Sequence, residues 1–133
     1  MEDARQTEAE DASSPIKTVL IVEDDEDIGL ALSQVLKEET HYQVVVATDG
    51  FQALKIIHTI QPDLFVVDYH LPEMNGLEFV DTLRAKPEYA RTPMLLMSAR
   101  PPWPDLAQRQ LLCLEKPFEL DIFVLQIKEL LLA

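Results

Sequence analysis

From residue 16 onward, short apolar runs alternate with stretches whose apolar residues recur every three or four positions. "TVLIV" (18–22), "YQVVVA" (42–47), "LFVV" (64–67), "PMLLMS" (93–98) and "LLCLE" (111–115) read as strands, being too short for helices. "DIGLALSQVLKE" (27–38) places Ile28, Ala31, Leu32, Val35 and Leu36 on one helical face. "GFQALKIIHTI" (50–60) turns Ala53, Leu54, Ile57 and Ile60 inward. "LEFVDTLRA" (77–85) and "ELDIFVLQIKELLL" (119–132) supply a third helix and a closing one. Strands that are apolar on both faces and spaced by helices need cover on both sides. Five such units predict an α/β domain, a doubly wound five-stranded parallel sheet.

In sheets of that class a ligand binds outside the carboxyl ends of the strands, where the winding reverses. The strand ends are therefore where chemistry should appear. The first run ends in "EDDED" (23–27), the third in Asp68, the fourth in Ser98-Ala99 and the fifth in Lys116-Pro117. The second ends in "ATDG", which offers only a turn. Asp68 poses the sharpest question. In "DLFVVDYHLPEMNG" (63–76) four apolar residues lead straight into a carboxylate, and an unpaired buried charge costs several kcal/mol. Asp68 either caps a turn or is presented for chemistry.

Composition narrows the class. The 133 residues suffice for one domain with a real core, and 47% are apolar. No apolar run approaches 18 residues, so no membrane insertion is expected. Residues 1–15 lack apolar periodicity and carry five acids against Arg5, or −4, which predicts a disordered acidic tail ahead of a domain over 16–133. The net charge is −13, which leaves −9 for the domain itself. Such a surface repels phosphate backbones and argues against direct nucleic-acid binding. The lone cysteine, Cys113, excludes an internal disulfide and fits a reducing cytoplasm.

Three carboxylates crowded together, Asp24, Asp25 and Asp68, are unstable without a cation. A hard divalent ion relieves them, and Mg²⁺ accepts one to three protein carboxylates plus waters, with Mn²⁺ as the alternative. A calcium loop fits less well, because its glycine and twelfth-position glutamate are out of place. Lys116 adds an ammonium and Ser98 a hydroxyl. A metal, an ammonium and a hydroxyl converging on one carboxylate suit a phosphoryl group attached to that carboxylate.

With "VLIVEDD", "VVDYHLPEMNG", "LLMSA" and "EKPF" in this order, the chain resembles the receiver domain of two-component response regulators over residues 17–132. The resemblance implies a flavodoxin-like (βα)5 fold and makes Asp68 the phosphorylated aspartate. It makes Asp24 and Asp25 the acidic pair that holds Mg²⁺, with Asp68 and the backbone carbonyl of His70 as further ligands. Ser98 becomes the hydroxyl that reaches a phosphate oxygen, and Lys116 the lysine that pairs with it. Lys116-Pro117 becomes a candidate cis peptide. The implied partners are a sensor histidine kinase or phosphotransfer protein and a downstream protein target, with the domain a monomer or weak homodimer. Asp68 would accept and lose its own phosphoryl group, without turnover of a separate substrate.

Three departures bear on output. The family's usual aromatic, three positions before the lysine, is replaced by Cys113. Ser98 and Lys116 stand 18 positions apart, shorter than the family interval by roughly one helical turn. "ARPPWPD" places Pro101, Pro102 and Pro104 where the fourth helix should start, which predicts a short, displaced or mobile helix. Trp103, the only tryptophan, is either a lid over that helix or a partner anchor, and Arg100 lies where the family tunes phosphoryl lifetime. The leading expectation is a stand-alone response regulator that signals through protein contacts, since no output domain follows in this chain. The alternatives are an interaction module that works without phosphorylation, and a phosphohydrolase using an aspartyl phosphate. The latter usually has a second acid two residues after the nucleophile, where this chain has His70.

Overall fold

The computed structural model describes residues 15–132. The acidic tail expected over 1–15 lies outside the described residues, apart from Pro15. The elements run β1 (Thr18–Val22), α1 (Glu26–Glu39), β2 (Gln43–Ala47), α2 (Gly50–Ile56), β3 (Leu64–Asp68) and α3 (Gly76–Arg84). A short 3-10 turn (Pro87–Tyr89), β4 (Met94–Ser98), α4 (Trp103–Arg109), β5 (Leu112–Glu115) and α5 (Leu120–Leu132) complete the chain. All strand pairs are parallel, in the order β2-β1-β3-β4-β5. The winding reverses between β1 and β3, and that is where the functional strand ends meet.

The sheet has a core on each face. Leu20, Val22, Phe65, Val67, Met94 and Leu96 pack against α2, α3 and Leu106 of α4. Val19, Ile21, Leu64, Val66, Leu95 and Met97 pack against Leu32 and Leu36 of α1 and Phe123 and Ile127 of α5. Every residue of β1, β3 and β4 is buried. Each such apolar side chain contributes roughly 1.5–3 kcal/mol, so burial on both faces fixes these strands rather than local propensity. The edge strands β2 and β5 are partly exposed.

The helices depart from the expected pattern in informative ways. On α1 the buried positions are Gly29, Leu32, Ser33 and Leu36, while Ile28 and Ala31 are exposed and Val35 is half-buried. Gly29 rotates the contact arc. A β-carbon there would stand 3.2 Å from Val46 Cγ1, so the missing side chain lets the helix lie close to β2. α2 ends at Ile56 rather than residue 60, and Ile57 and Ile60 are half-buried. Its end tightens into three-residue bonds, His58 N–H to Lys55 O and Thr59 N–H to Ile56 O, and the Thr59 hydroxyl also donates to Ile56 O.

α4 is two turns long, as the prolines require. Pro102 occupies its N-cap position without a side-chain cap, and Gln110 ends it in the left-handed region at φ 52°. Lys116-Pro117 is cis. Among the described residues no helix is long and apolar enough to cross a membrane.

Of the three glycines, Gly76 in the β3–α3 turn has the least room. Gly76 N–H donates to Tyr69 O at 2.9 Å, and Asn75 and Glu78 cap α3 reciprocally. A β-carbon on Gly76 would meet Asp68 O at 2.6 Å and Leu96 Cδ1 at 2.9 Å. Gly76→Ala should therefore destabilise the domain by about 1–3 kcal/mol, as overpacking does. Urea denaturation measures this, and an unchanged midpoint would show that the turn opens without cost.

Candidate functional site

The carboxyl ends of β1, β3, β4 and β5 converge on one pocket. Val22 of β1 pairs with Val67 of β3, so the next residues, Glu23 and Asp68, stand side by side at the carboxyl edge of the sheet. Glu23 is 2% exposed and Asp68 4%. Lys116 enters between them from the end of β5. Its Nζ lies 2.7 Å from Asp68 Oδ1 and 3.3 Å from Glu23 Oε1. Lys116 N–H donates to Ser98 O at 2.9 Å, which ties the β5 end to the β4 end.

One oxygen each from Glu23, Asp24 and Asp68 lies within 4.8 Å of the others, with Asp24 exposed at the mouth. When all three are ionised, one ammonium leaves the pocket with two uncompensated negative charges. Burial pushes the Glu23 carboxyl above its ordinary value, and the neighbouring Asp68 adds to this. The hydrogen bond from Asp25 N–H and the charge of Lys116 oppose that rise without cancelling it. Burial alone would lower the Lys116 ammonium, but its bond to Asp68 and the two carboxylate charges hold it above the ordinary lysine value. The pocket is built around charge, and it is short of cations.

Asp25, expected from the sequence to share the cation, is placed elsewhere. Its Oδ1 accepts from Asp27 N–H at 3.0 Å and Ile28 N–H at 3.1 Å, which makes it the N-cap of α1. Glu23 takes the place in the carboxylate group that was expected of Asp25. Counting "TVLIV" and "LFVV" to their ends would have found this, since Glu23 ends one run as Asp68 ends the other.

The remaining expected residues are placed differently from one another. Ser98 is buried, and its Oγ accepts Arg100 N–H at 3.1 Å. His70 is exposed, with its ring edge-on to Tyr69 at 5.0 Å between centroids. Arg100 is exposed, and Trp103 is 57% exposed rather than folded over α4 as a lid. Cys113 is half-buried against the α2–α4 side of the core, and burial pushes its thiol up to about 11. It is an inert packing residue at neutral pH. Beside Lys116 opens an apolar recess of about 520 Å³, lined by Ile28, Ala31, Ala99, Pro117, Phe118 and Leu120.

Comparison with known proteins bears on the family and the fold. The family profile described as "Response regulator receiver domain" matches residues 19–127. The sensor histidine kinase TmoS of Ectopseudomonas mendocina is 41% identical over 83 residues, covering 62% of this chain and 8% of that protein. The alkaline phosphatase synthesis transcriptional regulatory protein PhoP of Bacillus subtilis is 38% identical over 63% of this chain and 34% of its own length. The polar-differentiation response regulator DivK of Brucella anthropi is 34% identical over 62% of this chain and 67% of its own. The chain thus spans a small part of the first two of these relatives. Among solved structures, chemotaxis response regulator CheY4 of Vibrio cholerae superposes with a TM-score of 0.80 at 27% identity, covering 87% of this chain and 99% of that one. A putative response regulator from Chloroflexus aurantiacus gives 0.80 at 28% identity, covering 90% and 100%.

The raised Glu23 pKa has a stability consequence. An acid whose folded pKa lies above its unfolded value stabilises the fold below the unfolded pKa, near 4.5, and loses that contribution as pH rises through the folded value. Free of divalent cations at pH 7, well above the ordinary carboxyl value, the protein has therefore given up stability at Glu23. Glu23→Gln should raise the metal-free melting temperature at pH 7 by about 4 °C, the shift that roughly 1 kcal/mol gives a domain of this size. The advantage should vanish below pH 4.5. Thermal unfolding followed by circular dichroism at both pH values decides it, and a lower melting temperature at pH 7 would show that Glu23 is a net stabiliser.

Proposed function

The chain belongs to the response regulator receiver domain family, and from that premise we propose that it accepts a phosphoryl group on Asp68 and signals through protein contacts. The observation that carries the reading is the Lys116 ammonium held 2.7 Å from a buried strand-end carboxylate. Receiver domains generally bind Mg²⁺ at an acidic pocket, and the cluster here fits that ion. Three carboxylate oxygens from Glu23, Asp24 and Asp68 form a hard donor set, which would suit Mn²⁺ as well. The family pattern adds the backbone carbonyl of His70. When bound, the ion supplies positive charge against the carboxylates and the transferring phosphoryl oxygens.

The protein's own residues then have separate tasks. An oxygen of Asp68 attacks phosphorus, forming the O–P bond as the bond between phosphorus and the donor's imidazole nitrogen breaks. The imidazole leaves with the electron pair. Lys116 shifts from the carboxylate toward a phosphoryl oxygen and holds its charge, and the Ser98 hydroxyl donates to another. Water attack at phosphorus later breaks the Asp68 O–P bond, which releases inorganic phosphate and restores the carboxylate. The protein is reset by its own hydrolysis and does not turn over a separate substrate. A sensor kinase or phosphotransfer protein presents its phosphohistidine from the open side of the pocket, where the apolar recess beside Lys116 gives the donor a surface to seat on. The exposed carboxylates Asp24, Asp25, Glu26 and Asp27 border that entry and favour a basic donor face.

Incubation with Mg²⁺ and acetyl phosphate, followed by intact-mass spectrometry, tests the assignment. The wild-type chain should gain one phosphoryl group, while Asp68→Asn and a magnesium-free sample should gain none. No gain under conditions that label an ordinary receiver would leave an interaction module, a reading that Cys113 and the short α4 favour. Catalytic hydrolysis of a phosphate ester would point to a phosphohydrolase instead.

A further inference from the structure

Two more recesses open along the groove between α1 and α5, beyond the one beside Lys116. The first, of about 430 Å³, is lined by Val35 and Glu39 of α1 and by Asp121, Val124, Leu125 and Lys128 of α5. The second, of about 650 Å³, shares Glu39, Leu125 and Lys128 and reaches Tyr42 and Leu132. Leu125 borders both and is 52% exposed, and Leu132 is 84% exposed. Apolar side chains so open to water call for a partner.

The exposed residues of α5 form a stripe. Asp121, Leu125, Lys128 and Leu132 follow one another at intervals of four, three and four, which sets them on one side of the helix. All four are exposed, while Phe123, Val124 and Ile127 are buried against the domain. α5 thus carries a second seam, of the spacing that joins two helices. Asp121 Oδ1 accepts Ile122 N–H at 2.9 Å. Among the described residues neither Asp121 nor Lys128 forms a salt bridge.

The order of the charges decides which partner fits. Asp121 and Lys128 stand about 10 Å apart along the helix axis, and their midpoint falls between Val124 and Leu125. A second α5 turned end for end about that midpoint brings its Lys128 to Asp121 and its Asp121 to Lys128. It also sets Leu125 against Leu125. The stripe is complementary to itself, whereas a partner of one charge sign would leave one end facing a like charge.

We propose that α5 is a contact surface for a second copy of this chain, the two helices antiparallel across a two-fold axis beside Leu125. Two Asp121–Lys128 pairs set the register, and the Leu125 side chains close over the recess that Val35 and Val124 border. Exposed pairs contribute little, and a single pair of helices makes a small contact, so the association is weak and reversible. The charge of −9 on the domain weakens it further. The pairing uses neither Asp68 nor Lys116.

Sedimentation equilibrium of the full chain tests this, at protein concentrations up to about 1 mM and in about 0.15 M salt, which screens the net charge beyond about 8 Å. Wild type should associate to dimers and no further. Asp121→Lys sets like charges against each other in its own dimer, and so does Lys128→Glu. Each alone should associate about tenfold more weakly than wild type. Mixed in equal amounts, the two variants restore both opposite-charge pairs between unlike chains, and the mixture should regain wild-type association. Leu125→Ala should also weaken it. Thermal unfolding of each variant by circular dichroism is the folding control. A wild type that stays monomeric throughout would overturn the proposal, as would a mixture that associates no better than its components. Association that neither charge variant alters would put the contact on another face and overturn it too.

Discussion

One ammonium between two buried carboxylates organises this molecule. Lys116 lies against Asp68 and Glu23 at the centre of the sheet's carboxyl edge, each carboxylate almost wholly removed from water. Either carboxylate without it would be an uncompensated buried charge, which costs about 3–5 kcal/mol. The parallel register of β1 and β3 puts the carboxylates side by side, and the backbone bond from Lys116 to Ser98 brings the amine to them. The pair of cores on the two sheet faces holds those strand ends in place. Well-packed apolar side chains in place of a buried ion pair are often as stabilising or more so. Stability alone therefore does not account for the charge cluster.

Much of this was legible in the sequence, for identifiable reasons. β1, β3 and β4 are apolar on both faces because both faces are covered, so their runs stand out from the helices around them. Asp68, Ser98 and Lys116 stand out because each closes or follows an apolar strand run, where packing alone would favour another apolar side chain. The cluster "EDDED" was harder, since acids at a helix start are ordinary. Asp25 indeed does the ordinary thing and caps α1, while buried Glu23 joins the site. Composition cannot separate the two; strand register can.

The misplaced helix faces have a similar origin. Helical periodicity identifies an apolar stripe but not which edge of it touches the sheet, and Gly29 shifts the contact arc of α1 away from Ile28 and Ala31. Those two residues then remain at the surface beside Lys116, where they line the apolar recess. α2 ended early because side-chain and three-residue bonds at Thr59 competed with the helix, a local effect that apolar spacing does not register. The prolines before α4 were legible as a constraint on length. The salt bridge from Arg109 of α4 to Asp81 of α3 was not, because it joins residues 28 positions apart.

The central claim is that these carboxylates are held close, at a cost in stability, for a divalent cation and the phosphoryl group it neutralises. Thermal unfolding of the wild-type chain at increasing Mg²⁺, beside Asp68→Asn, tests it most directly. A ligand that binds only the folded state raises the midpoint with concentration, since it adds about 2.7 kcal/mol of stability at a hundred times its dissociation constant. The expected result is a steady rise for wild type and a much weaker one for Asp68→Asn. A flat wild-type curve, or equal rises in both, would contradict the account.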